Sequence, residues 1–159
     1  MLKVIVHAAA LTAAVALNAP AFAQELEKKS YHHNEWTKGR FSEVVTVTGP
    51  GKWVFLAGVG AEAEKDGSIL HIGDFAAQCH YAYEKIRKLL ATHGATMADV
   101  VKLVTYVVDI RDRDVMNKCR AAAFKGGPLP VHTFLAISGL ARPGMLVEMD
   151  VIAVVPPAR

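Results

Sequence analysis

The sequence predicts an α+β domain, one mixed β-sheet with two helices on one face. Three observations lead there. Residues 74–93 carry apolar side chains at helical spacing between a good N-terminal cap and a glycine stop. Val100–Asp109 is almost continuously apolar and rich in β-branched residues, as a central strand is. The closing stretch "PLPVHTFLAISGLARPGMLVEMDVIAV", residues 128–154, places two apolar runs on either side of a Gly/Pro loop. So few helices, interleaved with strands of a single sheet, suit the α+β class.

Before these elements comes a segment set aside from the fold. Residues 1–23 combine a basic start at Lys3, an apolar stretch and the small residues Ala21 and Ala23 around Phe22. That is the layout of a secretory signal with an A-x-A cleavage site. Its apolar stretch is shorter than the roughly 20 residues of a membrane span. Cleavage after Ala23 would release an exported chain, periplasmic or secreted, with no membrane segment. Of the 18 basic residues only Lys3 is lost, against 15 acidic ones, leaving a net charge of +2. So even a balance argues against a nucleic-acid surface, which shows clustered Lys and Arg.

Residues 24–39 are polar and aperiodic and read as a flexible lead-in to a domain at 40–159. "SEVVTVTGPGKWVFLAG" reads as a hairpin around Gly-Pro-Gly, and Ser68–Ile72 as a third short strand. In the first helix Phe75, Cys79, Ala82, Ile86 and Leu89 share a stripe, with Asp74 as N-cap and Gly94 as stop. A second, shorter helix follows at 112–124, with Val115, Cys119 and Ala122 on one side. The order is β-β-β-α-β-α-β-β. Cys79 and Cys119 can be a bridge or two buried small hydrophobes, and their spacing matches no redox or zinc motif.

Chemistry concentrates in the two closing strands. Alternation turns Met145, Val147, Met149, Val151 and Ala153 to the core, and Leu146, Glu148, Asp150 and Ile152 the other way. Glu148 and Asp150 then share a face, about 7 Å apart. That face is half apolar, as a surface that something covers would be. His132 alternates with Phe134. If the two strands pair directly around their loop, Glu148 faces Phe134 and lies diagonal to His132, within reach of a long side chain. A His beside a Glu can be a general base, a cation at low pH or a hydrogen-bonded core residue. The metal candidates, His32, His33 and Glu35 in the lead-in and His80 with Glu84 on the first helix, lack a fixed set of partners. There is no GxSxG, P-loop or GxGxxG motif, and no metal or other cofactor is expected.

Several stretches together resemble the RidA/YjgF family of reactive-intermediate deaminases. "FSEVVTVTGPGKWVFLAG" looks like its opening strands, and Gly94 to Val101 keeps its Gly-x-x-x-x-Asp-Val-Val step. Asn117 and Phe124 fall where the family has Asn and Phe, and the closing block resembles Pro-x-Arg-Thr…Leu…Val-Glu-Ile-x-x-Ala. The resemblance spans residues 40–155. It implies a homotrimer of chorismate-mutase-like subunits with clefts between them. In deaminating members an Arg clamps the carboxylate of a 2-imino or 2-enamino acid, and a Glu positions the attacking water. Glu148 matches that Glu, but His132 stands where the Arg is expected, and Phe41 replaces the Tyr before Ser42. The resemblance makes Glu148 and His132 the catalytic candidates. It makes Phe41, Ser42, Asn117, Thr133 and Phe134 the substrate-binding ones. Three functions are open: an imine or enamine hydrolase with altered substrate, a non-catalytic trimer binding a small metabolite, and a nuclease or translation inhibitor. The even charge and the export signal speak against the last.

Overall fold

The computed structural model describes residues 24–157, so the stretch read as a secretory signal, residues 1–23, lies outside the described residues. Six strands and two α-helices follow in the order β1 (Glu27–Tyr31), β2 (Val44–Thr48), β3 (Lys52–Val59), α1 (Phe75–Thr92), β4 (Val100–Val107), α2 (Arg113–Phe124), β5 (Val131–Ala136) and β6 (Val147–Val155). A four-stranded sheet runs β3-β6-β4-β5, and β1 and β2 form a separate antiparallel ribbon. Both helices pack on one face of the larger sheet, around a core that includes Ile86, Leu90, Leu103, Met116 and Met149.

Within that sheet β6 is antiparallel to both β3 and β4, while β4 and β5 are parallel. Parallel neighbours need a long crossover, and α2 supplies it. Direct pairing of β5 with β6 does not occur: β4 lies between them, and the loop after β5 carries the chain past it. The expected diagonal contact of His132 with Glu148 is therefore overturned.

The string of elements matches expectation, but two of the strands differ. Ser68–Ile72 makes only one isolated bridge, Glu62 with Ile69, because His71 (φ 54°) and Gly73 (φ 80°) turn the chain into α1. The lead-in, read as flexible, folds instead: Glu27–Tyr31 pairs along the whole of β2. Behind it the Glu43 carboxylate accepts hydrogen bonds from the backbone of His33 and Asn34 and from the side chains of Asn34 and Thr37. Burial alone would raise the Glu43 pKa, but these donors outweigh it and hold it at about 2. The Gly-Pro-Gly turn does not close a hairpin either. Gly49 (φ 86°) passes so close to Glu25 that a Cβ would sit 2.4 Å from its carbonyl oxygen, and the chain moves from one sheet to the other.

Asp74 caps α1 by accepting from the Ala77 amide at 2.9 Å, and Gly94 (φ 74°) follows its end. The buried stripe is as read except at its end, where Leu90 is buried and Leu89 is 40% exposed. On α2 the stripe is shifted by one residue: Met116, Cys119, Arg120 and Ala123 are buried, and Val115 and Ala122 are exposed. β4 is covered on its helix face alone; Lys102, Val104 and Tyr106 on the other side are half-buried.

Cys79 on α1 and Cys119 on α2 are disulfide-bonded, with Cα atoms 6.5 Å apart. The bridge closes a 40-residue separation across the buried helix pair. Loop closure of that size is worth about 2–4 kcal/mol. Reduction, or Cys119→Ser, should lower the urea midpoint accordingly; identical midpoints with and without reductant would show that the bridge contributes nothing.

Candidate functional site

The sheet order distributes the candidate residues over two places. The first is a cavity of about 470 Å³ on the helix side of edge strand β5. His132 and Phe134 enter it from β5, Asn117 and Arg120 from α2, and Trp36 and Phe41 from the ordered lead-in. His132 and Phe134 reach the helix side because their register partners on β4 are the buried Leu103 and Thr105. Trp36 and Phe41 meet edge to face, ring centroids 5.5 Å apart. Ser42 fixes this wall to the sheet: its amide donates to Pro130 O at 3.1 Å and its hydroxyl to Leu129 O at 2.5 Å.

Four of the expected site residues, Phe41, Asn117, His132 and Phe134, thus converge in the cavity. Ser42 is only 1% exposed and its hydroxyl is spent on the backbone, so it anchors Phe41. Thr133 points the other way, by strand alternation, and accepts from Lys102 Nζ at 2.9 Å on the opposite face.

His132 is bound on both sides. Its Nε2 lies 3.0 Å from Thr105 Oγ1, and its Nδ1 contacts Arg120 Nη1. A guanidinium has only donors, so Nδ1 must accept and the ring proton belongs on Nε2, donated to Thr105. Burial, then the positive charges of Arg120 and Lys102, push the His132 pKa down to about 3. His132 is therefore a neutral ring committed to its own subunit, and cannot act as the cation that an Arg at this place would be.

Arg120 was missed by the sequence reading, which placed the α2 stripe one residue off. The available signal was an Arg between Met116 and Phe124 in steps of four, on the buried side of a helix. It is 8% exposed, and its Nη2 also donates to Asn117 Oδ1 at 3.5 Å.

The second place is the open face of the sheet, turned away from the helices. Here Glu148 stands opposite Tyr106 in the ladder and Asp150 opposite Val104, and Tyr106 donates its hydroxyl to Asp150 at 3.1 Å. Among the described residues no hydrogen bond or ion pair reaches the Glu148 carboxylate. Burial, with the like charges of Glu62 and Asp150 adding to it, raises its pKa above the ordinary carboxylate value. Gly58 on β3 makes the room: a Cβ there would lie 1.8 Å from Glu148 Oε1. Trp53 and Phe55, 51% and 69% exposed, extend this face as an apolar strip. Glu148 and His132 thus occupy opposite faces of one sheet.

Among the described residues no group of three or more His, Cys, Asp or Glu could hold a metal ion. No described helix is long and apolar enough to cross a membrane.

Comparison with known proteins agrees with this architecture. Residues 33–155 match the family described as Endoribonuclease L-PSP. A RutC family protein of Pyrococcus abyssi is 31% identical over 115 residues, 72% of this chain and 86% of that relative. The crystal structure of YyfB, a conserved Rid family protein of unknown function from Yersinia pestis, superposes with a TM-score of 0.72 at 25% identity, over 80% of this chain and 98% of that one. Rv2704 of Mycobacterium tuberculosis, described as a member of the YjgF/YER057c/UK114 family, superposes with a TM-score of 0.57 at 30% identity, over 81% of this chain and all (100%) of that one. With the match running through every element of the larger sheet and both helices, the chain belongs to the RidA/YjgF family, the Endoribonuclease L-PSP family of the sequence match.

Proposed function

We propose that this protein hydrolyses small imine or enamine metabolites in clefts between the subunits of a homotrimer, after export to the periplasm. The observation that carries this reading is Glu148: a half-buried carboxylate with no partner among the described residues, its space cleared by Gly58. In such a reaction the water oxygen adds to the imine carbon while a proton passes to nitrogen. Collapse of the carbinolamine then releases ammonia and leaves the carbonyl. An ionised Glu148 orients and deprotonates that water.

Within one subunit β4 and the plane of the sheet separate Glu148 from the cavity beneath β5. The two can cooperate only where the open face of one copy meets the cavity mouth of another. A head-to-tail contact of that kind closes into a ring, for which a trimer is the family's form. The exposed Trp53 and Phe55 and the half-buried polar row of β6 suit such a contact. The Cys79–Cys119 bridge supports a destination outside the reducing cytosol. With a net charge of +2, the exported chain offers little general attraction for a nucleic acid. No cofactor enters this chemistry.

A second reading, a trimer that binds a small metabolite without turning it over, is favoured by one observation. His132 is neutral and held by Thr105 and Arg120, so it offers no acid or base to a ligand.

Ammonia release from 2-iminobutanoate generated in situ separates the two. The hydrolase reading expects turnover above the spontaneous rate and its loss by at least 100-fold in Glu148→Gln, the usual scale for a positioned base. Wild-type protein with no rate above background would leave binding alone. Because Glu148 titrates above the ordinary carboxylate range, activity should fall on the acid side at a higher pH than an unperturbed Glu would give. The raised pKa also means that ionised Glu148 costs the folded state stability as pH rises. Glu148→Gln should accordingly melt higher than wild type at neutral pH while losing turnover, and an unchanged or lower Tm would contradict the burial argument.

Gly58→Ala provides a separate test. The added methyl displaces the carboxylate end of Glu148 and leaves the backbone undisturbed. Turnover should drop at least tenfold, the cost of a misplaced group, with Tm nearly unchanged; full activity would remove Glu148 from its assigned place.

A further inference from the structure

We propose that Arg120 binds the carboxylate of a small organic acid in the cavity beneath β5, delivering from helix α2 the positive charge that residue 132 does not carry. The inference rests on the proposed function and adds to it the residue that holds the ligand's charge, and it can be tested without turnover.

Four observations carry it. Arg120 is 8% exposed, yet among the described residues no carboxylate lies within ion-pair distance of it. A charge taken out of water without a counter-ion is costly, and an anion beside it relieves that cost. Its recorded partners, the Nδ1 lone pair of His132 and Asn117 Oδ1, are neutral acceptors. They use two of the five guanidinium N–H groups and leave donors for a bidentate carboxylate.

The cavity has the matching electrostatics. Arg40 and Arg113 line it together with Arg120, and among the described residues no acidic one lines it. The remaining wall is apolar, with Phe41, Leu129 and Phe134 beside the aromatic ring of Trp36. A cationic anchor on an apolar wall is complementary to a small acid with a hydrocarbon side chain. Its volume of about 470 Å³ accommodates a metabolite of that kind.

His132 then has a definite task as a positioning residue. Nδ1 accepts from Arg120 and is therefore unprotonated, while Nε2 donates its proton to Thr105, which holds the ring in place. A neutral imidazole accepts from the guanidinium where a charged residue would repel it. An Arg at 132 would set two guanidinium groups against each other. The His and the α2 Arg therefore form a pair, and the second compensates for the first.

The test is calorimetric titration of the mature protein with 2-oxobutanoate and with butanone, the corresponding ligand without a carboxylate. The wild type should bind the acid saturably and at least tenfold more tightly than the ketone. Arg120→Gln should weaken the acid at least tenfold and leave the ketone unchanged, so that the charge preference disappears. Arg120→Lys should restore part of it. A general packing defect would weaken both ligands together, and that result would overturn the proposal. So would equal affinity for the acid in wild type and Arg120→Gln, or a wild type that does not distinguish acid from ketone. Inorganic phosphate binding more tightly than 2-oxobutanoate would overturn the assignment to a carboxylate. Failure of the hydrolase reading would thus show as absent turnover with binding intact, and failure of this one as absent charge preference.

Discussion

The parallel pairing of β4 with β5 governs everything else in this subunit. It requires a crossover, which makes α2 a covering helix and brings Arg120 under the sheet edge. It also leaves β5 at the edge, with β6 in the interior between β3 and β4. Alternation along each strand then does the sorting: His132 and Phe134 turn to the helix side, Glu148 and Asp150 to the open side. Had β5 paired with β6, both groups could have met within one chain. The actual order puts the two groups of candidate residues on opposite faces of the sheet, where a single subunit does not join them.

The polar groups of the cavity form a chain of dependent hydrogen bonds. Arg120 donates to Nδ1 of His132 and so sets its tautomer, and Nε2 in turn donates to Thr105, buried on β4. No member of this chain carries a negative charge, so the cation is left available. The open face differs, with Glu148 and Asp150 beside an apolar strip and Lys102 of β4 on the same side. A pocket lined by three Arg residues and a partly apolar face carrying Glu148 and Asp150, on opposite sides of one subunit, are complementary to each other.

Local signals in the sequence were readable where local physics decides the outcome. Asp74 and Gly94 bounded α1, the alternation of β6 named its core side, and Glu148 was placed on a face that looks half covered. What the chain did not disclose depends on distant partners. The flexible reading of residues 24–39 failed because β1 has no apolar period of its own; its order comes from β2 and from the donors collected by Glu43. The strand pairing around residues 137–145 failed because adjacency in sequence does not decide adjacency in a sheet with a crossover. Arg120 went unnoticed because a charged residue inside a helix stripe is normally assigned to the wet side. Only the stripe's one-residue shift, fixed by packing against α1 and the sheet, reveals it as buried.

The proposed hydrolysis requires that the cavity of one subunit and Glu148 of another form one site. Asn117→Cys and Glu148→Cys, introduced into the same chain and treated with a short bismaleimide, test it most directly. Neither native cysteine is free to react, since both are in the disulfide. If the two half-sites meet across an interface, denaturing gels should show covalent dimers and trimers, and each single variant should remain monomeric. Crosslinked monomer only, or no crosslinking with the fold intact, would contradict the account.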